Sequence, residues 1–218
     1  MESSETAGLF AGLSARDVEA LTLRLNGVRR TYRRGETVVH AGLKAERLML
    51  VQKGRLRVYE NTGDDRAVLV REIGPGEALG LWILYMPDVT CWPGSVEAVE
   101  ESALLSLDLA RARTLFAEGG AAAVRLADNA ARLLARELFA MWRKVSVMDA
   151  STIEARVRIY LTTLDNESGN TGTVVAPLNR ARMAEYFGVS RPSLSRTLCQ
   201  MRDRGLLAWR RNVFEIKF

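Results

Sequence analysis

The chain is poor in the residues that build covalent or metal-held scaffolds: its 218 residues include two Cys, Cys91 and Cys199, and one His, His40. Two thiols far apart in sequence cannot form a disulfide framework or a Cys-rich zinc site. Apolar runs are short, and none approaches the roughly 20 residues a membrane-spanning helix needs. The opening MESSETAGLF has neither a basic stretch nor an apolar core, which argues against an export signal and for a reducing, cytoplasmic setting. Lysine is scarce too: 27 of the 31 basic side chains are Arg, whose planar fork suits phosphate and guanine. With one His, no Gly-rich phosphate loop of the usual spacing and no paired-carboxylate cleft, nothing points to an enzyme or a metal centre.

What is present is an ordinary globular composition, 48% hydrophobic, enough to bury a core and to exclude disordered or collagen-like chains. The net charge of +5 has an address. Residues 151–218 carry 11 Lys/Arg against 6 Asp/Glu, so the rest of the chain is balanced. A basic module on a neutral body suggests a polyanionic partner, with a solvated charged surface as the plain alternative.

The pattern changes period along the chain. Ser14 is a candidate N-cap for a helix from Ala15 to Leu25. From there to about residue 108, short β-rich runs (ETVVHAG, RLMLVQKG, RLRVYEN, AVLVREIG, SVEAVEE, ALLSLDL) alternate with Gly35, Gly42, Gly54, Gly63, Gly74, Gly76 and Gly80. That spacing predicts an antiparallel roll, whose interior either fills with side chains or holds one ligand. A short helix over 109–118 ends at Gly119-Gly120, and a long helix runs to about Met148. In it Ala127, Ala131, Leu134, Leu138, Met141, Val145 and Met148 alternate steps of four and three, the stripe of a coiled-coil dimer or, as the plain alternative, of a helix packed on the chain's own roll. A second stripe, Ala123, Leu126, Ala130, Leu133 and Ala140, could face the roll. The expected divisions are 1–118, a sensor roll; 119–148, a dimerisation helix; and 149–218, a terminal module hinged near 148–151, where Asp149 to Ser151 offer an N-cap.

The terminal module carries the most specific pattern. Asn179 caps a first helix with Met183, Ala184 and Phe187 apolar, Gly188 permits a tight turn, and Ser190 caps a second helix with Leu194, Leu198 and Met201 inward. Val189 and Leu194 plug the angle between them, giving a helix-turn-helix. The second helix exposes Arg191, Ser193, Ser195, Arg196 and Arg202, and Pro192 is tolerated in its first turn. Between residues 180 and 211 there are 8 Arg against Glu185 and Asp203, and the residues expected to face DNA are Arg180, Ser190, Arg191, Pro192, Ser193, Ser195, Arg196, Arg202, Arg210 and Arg211. GLLAW and VFEIKF then read as two strands of a wing, with Arg210 and Arg211 at the turn near DNA phosphates. Cys199, on the second helix, reads as a small buried hydrophobe.

This order of parts resembles the cyclic-AMP receptor protein and FNR family of bacterial transcription regulators, through LFAGLS, RRGETVVHAG, LVQKGRLRVY, GPGEALG, the long helix and GVSRPSLSR. The resemblance implies an α+β chain: a cyclic-nucleotide-binding-type β-roll (a double-stranded jelly roll), a dimerisation helix and a winged helix-turn-helix. It places Arg191, Pro192 and Arg196 at the base-reading positions. Many members carry at Pro192 a Glu that accepts from cytosine, so an altered half-site is expected. Cyclic-nucleotide binders have a Gly-Glu pair and then an Arg-Ser or Arg-Thr that holds the phosphate; here the matching stretches are Gly80-Leu81 and Thr90, Cys91, Trp92, Pro93. A buried phosphate without its Arg would be left unpaired at a cost of roughly several kcal/mol, so cyclic AMP is not the expected effector. An iron–sulfur cluster, needing about four thiolates, is not expected either.

The side chains expected around the effector position are Leu81, Trp82, Tyr85, Met86 and Trp92 from the roll and Met141, Trp142 and Arg143 from the long helix. They suit an apolar or aromatic ligand, including one with a carboxylate near Arg143, or they simply fill the roll. His40 could be an axial haem ligand, although a structural role is favoured. The expected partners are double-stranded DNA with an inverted repeat, a second copy of the chain through 127–148 and, as a further candidate, RNA polymerase; no membrane is expected. The alternative is a sensor of the same type that works through protein contacts alone and does not bind DNA.

Overall fold

The computed structural model describes residues 8–62, 66–86 and 88–218; the polar start before residue 8 and Gly63, one of the expected turn glycines, lie outside them. Two compact units divide the chain, Met1–Arg136 and Glu137–Phe218.

In the first unit a 3-10 turn at Gly8–Phe10 leads into α1 (Ala15–Arg24), where the Ser14 hydroxyl accepts from the Asp17 amide at 3.1 Å as the expected N-cap. Eight strands follow: β1 (Val28–Tyr32), β2 (Thr37–Val39), β3 (Arg47–Lys53), β4 (Leu56–Thr62), β5 (Arg66–Ile73), β6 (Ala78–Leu79), β7 (Ser95–Ala98) and β8 (Ser102–Asp108). They form two antiparallel four-stranded sheets, ordered β1-β8-β3-β6 and β2-β7-β4-β5, a jelly roll. Leu48, Leu50 and Val51 of β3, Leu104, Leu105 and Leu107 of β8, and Leu56, Ile73 and Val96 of the other sheet are buried in one core. Each large aliphatic side chain so buried contributes about 1.5–3 kcal/mol.

Three helices complete this unit: α2 (Leu81–Tyr85), α3 (Leu109–Glu118) and the start of α4 (Ala121–Asp149). The Asp108 carboxylate caps α3 by accepting from the Arg111 amide at 3.0 Å. On α4, Ala123, Leu126 and Ala130 join the roll's core. Between them the buried Asn129 amide donates to the Leu9 and Ala11 carbonyls at 3.0 and 2.8 Å, tying the N-terminal turn to α4.

The second unit contains the last turns of α4, then α5 (Ile153–Glu167), β9 (Thr173–Val175), α6 (Arg180–Tyr186), α7 (Arg191–Asp203), β10 (Leu207–Arg210) and β11 (Val213–Ile216). Its antiparallel sheet runs β10-β11-β9. Val147, Val157, Tyr160, Leu161, Phe187, Leu194, Leu198, Met201 and Phe214 are buried together. Because Val147 belongs to this core and Ala130 to the other, the division falls inside α4 rather than at the expected 148–151 joint. The N-cap of α5 is Thr152, one residue beyond the expected span: its hydroxyl accepts from the Ala155 amide at 3.1 Å.

Candidate nucleic-acid interface and sensory face

The helix-turn-helix is held by a side-chain cap at the start of each of its helices. The Asn179 side chain accepts from the Arg182 amide at 3.0 Å and the Ser190 hydroxyl from the Ser193 amide at 3.3 Å. The Ser190 and Ser193 hydroxyls also lie 2.8 Å apart, so both are committed to the start of α7. Pro192 sits in that first turn, where a helix leaves amides unsatisfied in any case. Gly188, between the helices, has a φ of 64°, a left-handed turn conformation that favours glycine.

One face of α7 is buried through Leu194, Leu198 and Met201. Arg191, Pro192, Ser195 and Arg196 are exposed on it, and Cys199 is half-buried. Among the described residues no ion pair engages Arg191 or Arg196, nor Arg210 and Arg211 at the wing turn, where Arg211 takes a φ of 56°. Unpaired guanidiniums on one helix start and one hairpin tip can meet base edges and phosphates without first breaking a salt bridge.

Two expected DNA-facing cations are engaged within the unit. The Arg180 guanidinium lies 4.5 Å from the Phe214 ring centroid and 5.2 Å from that of Trp209, and burial lowers its pKa below the ordinary arginine value. Arg202 pairs with Asp203 at 3.0 Å and lies 5.3 Å from the Trp209 centroid. Arg180 and Arg202 therefore flank the wing tryptophan, an arrangement invisible in charge counting.

Arg156 was missed in the sequence because its partners are backbone carbonyls, which no spacing announces. Its guanidinium donates to Phe187 at 2.6 Å, to Ala150 at 3.0 Å and to Met148 at 3.2 Å. Nearby, Arg204 makes a forked pair with Glu154 at 2.8 and 2.9 Å, joining the end of α7 to the start of α5 and holding the Glu154 carboxyl below its usual range.

In the roll, the expected effector residues divide. Leu81, Trp82 and Trp92 come together: Trp92 is 5% exposed, and its ring meets Trp82 edge-on at 6.4 Å between centroids. The Trp92 backbone is fixed on both sides, its amide donating to Leu43 and its carbonyl accepting from Gly42, each at 2.8 Å. The ring packs over Gly80, whose φ is 86°. Tyr85 and Met86 are exposed, and the Tyr85 hydroxyl donates to the Ala127 carbonyl at 3.4 Å. Arg113 donates to the Ile83 and Leu84 carbonyls at 2.7 and 3.2 Å, closing the C-terminal end of α2.

The helix residues of that set belong to the second unit. Met141 is exposed, and Trp142, 61% exposed, packs its ring against Phe139 at 5.7 Å. Arg143 pairs with Glu167 at 2.7 Å, so its charge is already met within its own unit. His40 lies just beyond β2 rather than within a strand, exposed, with its carbonyl accepting from the Leu43 amide at 3.3 Å. No group of three or more candidate ligand residues is poised for a metal ion among the described residues.

Neither Leu81 nor Trp92 offers a charge to a phosphate, and the indole occupies the space beside Gly80. The residues at this position do not fit a cyclic nucleotide held in the manner the sequence resemblance describes.

Residues 29–118 match the family model of the cyclic nucleotide-binding domain, and residues 155–217 that of the Crp-like helix-turn-helix domain. A CRP-like cAMP-activated global transcriptional regulator of Mycobacterium tuberculosis is 24% identical over 203 residues, covering 91% of this chain and 87% of the relative. The cyclic AMP receptor protein of Thermus thermophilus is 27% identical over 218 residues, covering 96% and 92%. The crystal structure of the Thermus thermophilus catabolite activator protein superposes with a TM-score of 0.53 at 26% identity, covering 96% of this chain and 93% of that one.

Proposed function

Because the chain belongs to the cyclic-AMP receptor protein and FNR family of transcription regulators, we propose that it is a homodimeric, sequence-specific DNA-binding regulator whose roll answers to a signal other than cyclic AMP. The observation that carries the DNA reading is the division of α7: Leu194, Leu198 and Met201 are buried, while Arg191, Ser195 and Arg196 stand exposed, both Arg without an ion pair among the described residues. Arg191 and Arg196 read base edges, Ser195 assists, and Arg210 and Arg211 bind backbone phosphate. Pro192 cannot accept from cytosine and shifts the half-site preference. Arg180 and Arg202 support the wing by stacking on Trp209.

The dimer reading is supported by the outer stripe of α4, where Leu138 is 70% and Val145 66% exposed, an apolar face suited to a second copy of the same helix. Two recognition helices then address an inverted repeat about one DNA turn apart. The signal reading is supported by Trp92 over Gly80 and by apolar Leu81; the exposed Tyr85 and Met86 suit an apolar or aromatic ligand. The exposed His40 lends no support to haem. The protein acts in the cytoplasm, and DNA-bound dimers meet RNA polymerase.

The test is a binding titration against an inverted-repeat fragment selected from random DNA, run at several salt concentrations with and without cyclic AMP. The reading expects affinity that falls steeply with salt and is unchanged by the nucleotide. No mobility shift with any genomic fragment would favour a regulator working through protein contacts alone. Native mass spectrometry of freshly purified protein reports the dimer and any retained small molecule.

A further inference from the structure

The carbonyls that Arg156 gathers come from two helix ends. Phe187 is the C-cap of α6, and Met148 and Ala150 flank the last residue of α4. Carbonyls at a helix C-terminus carry partial negative charge and lack amide partners, so one planar cation answers both ends at once. A second contact joins the same parts: a Cβ on Gly188, in the turn before α7, would stand 3.1 Å from Met148 Cε. The end of α4 is thus held to the α6–α7 turn by a three-bond polar clamp and by a methionine methyl against a glycine.

We infer that Arg156 is the positioning residue that fixes the angle between α4 and the recognition helix α7. The inference rests on the reading of the chain as a homodimeric DNA-binding regulator and goes beyond it by naming how the helix end sets the placement of the reading face. Arg156 lies on α5, its guanidinium is spent on backbone, and it reads no base. Its work is to make α7 move as one body with the last turns of α4, those that belong to the second unit. In a dimer seamed along α4, this converts the geometry of the seam into a fixed separation of the two recognition helices. Lysine cannot replace it, since one ammonium lacks the fork needed to reach all three carbonyls.

The experiment measures affinity of the full-length protein for a series of inverted repeats whose half-site spacing is changed one base pair at a time. It compares wild type with Arg156→Lys, Arg156→Gln, Met148→Ala and the double variant Arg156→Lys/Met148→Ala, with the dimer mass of each measured because Met148 also lies on the stripe expected to face a second copy. Wild type should show a sharp optimum. The Arg156 variants should lose about tenfold at that optimum and gain relative affinity at neighbouring spacings, with dimer mass and single half-site affinity retained. Met148→Ala, which alters a half-exposed side chain, should broaden the profile in the same direction and less than additively with Arg156→Lys. A merely structural role would lower binding equally at every spacing, in step with the folded fraction; that result overturns the inference, as does an unchanged profile. Should the Arg156 variants not fold, an unbroadened profile for Met148→Ala overturns it. If wild type binds no inverted repeat, the functional reading fails first, and half-site data on wild type separate the two failures.

Discussion

Trp92 lies so close over Gly80 that a Cβ on residue 80 would stand 2.6 Å from Trp92 Cη2, and Gly80 holds a left-handed φ of 86°. Both facts act against any side chain there. Gly80→Ala should therefore destabilise the protein by about 1–3 kcal/mol, through overpacking and backbone strain together. Thermal unfolding of Gly80→Ala, Trp92→Ala and the double variant checks the contact: the double variant should lose less than the sum of the singles. Strict additivity would mean that the indole does not exclude a side chain at residue 80.

If Arg196 reads a base as proposed, Arg196→Ala should weaken specific binding by roughly 1–3 kcal/mol per half-site and relax the preference at one base position of each. Arg211→Ala should weaken binding evenly across site variants and reduce the salt slope by about one counterion per half-site, or about two for the dimer on an inverted repeat. A fluorescence-anisotropy titration of each variant against a panel of single-base site changes, repeated at two salt concentrations, distinguishes the roles. Equal affinity of Arg196→Ala and wild type for every site would remove Arg196 from the reading face.

The capping residues explain why so much of the second unit was legible from the chain. Asn179 and Ser190 act locally, over three residues, and bond the amides that the sequence pattern indicates. The roll was readable where burial alternates, as in β3, and not in β1, where VRRTY buries only Tyr32 and its Arg side chains hide the strand signal. The two-residue β6 and the five-residue α2 are too short for any period to show. Partners distant in sequence were the least legible. The stacking of Arg180 on Phe214 and the grasp of Arg156 on Phe187 each join segments about 30 residues apart through groups with no composition signal.

Tyr160 gives an alkaline signature. Burial, aided by Tyr186 and opposed by Arg143, pushes its phenol up to about 12. The folded state thus favours the neutral phenol. The associated stability is fully present below the unfolded-chain value near 10 and is lost as pH rises through the folded value. Absorbance of phenolate against pH should show a late step near that value that is missing in Tyr160→Phe, and the wild-type melting temperature should fall more steeply than the variant's above pH ~10. A late step that persists in Tyr160→Phe would assign it to another tyrosine.

The proposed dimer seam on α4 can be tested apart from the folding of either unit. Leu138 is 70% exposed and belongs to neither hydrophobic core, whereas Leu126 and Val147 are each buried in one. Leu138→Glu should consequently leave both units folded, with circular dichroism close to wild type, while its melting temperature loses the dependence on protein concentration that a dimer shows. In a dimer it would set two carboxylates in an apolar contact, at a cost that rises with their desolvation. Sedimentation at micromolar concentration should show the variant as monomer and wild type as dimer. Affinity for an inverted repeat should then drop to that of a single half-site, because the two recognition helices no longer bind as a linked pair. A variant that stays dimeric and keeps full inverted-repeat affinity would place the seam elsewhere on the chain.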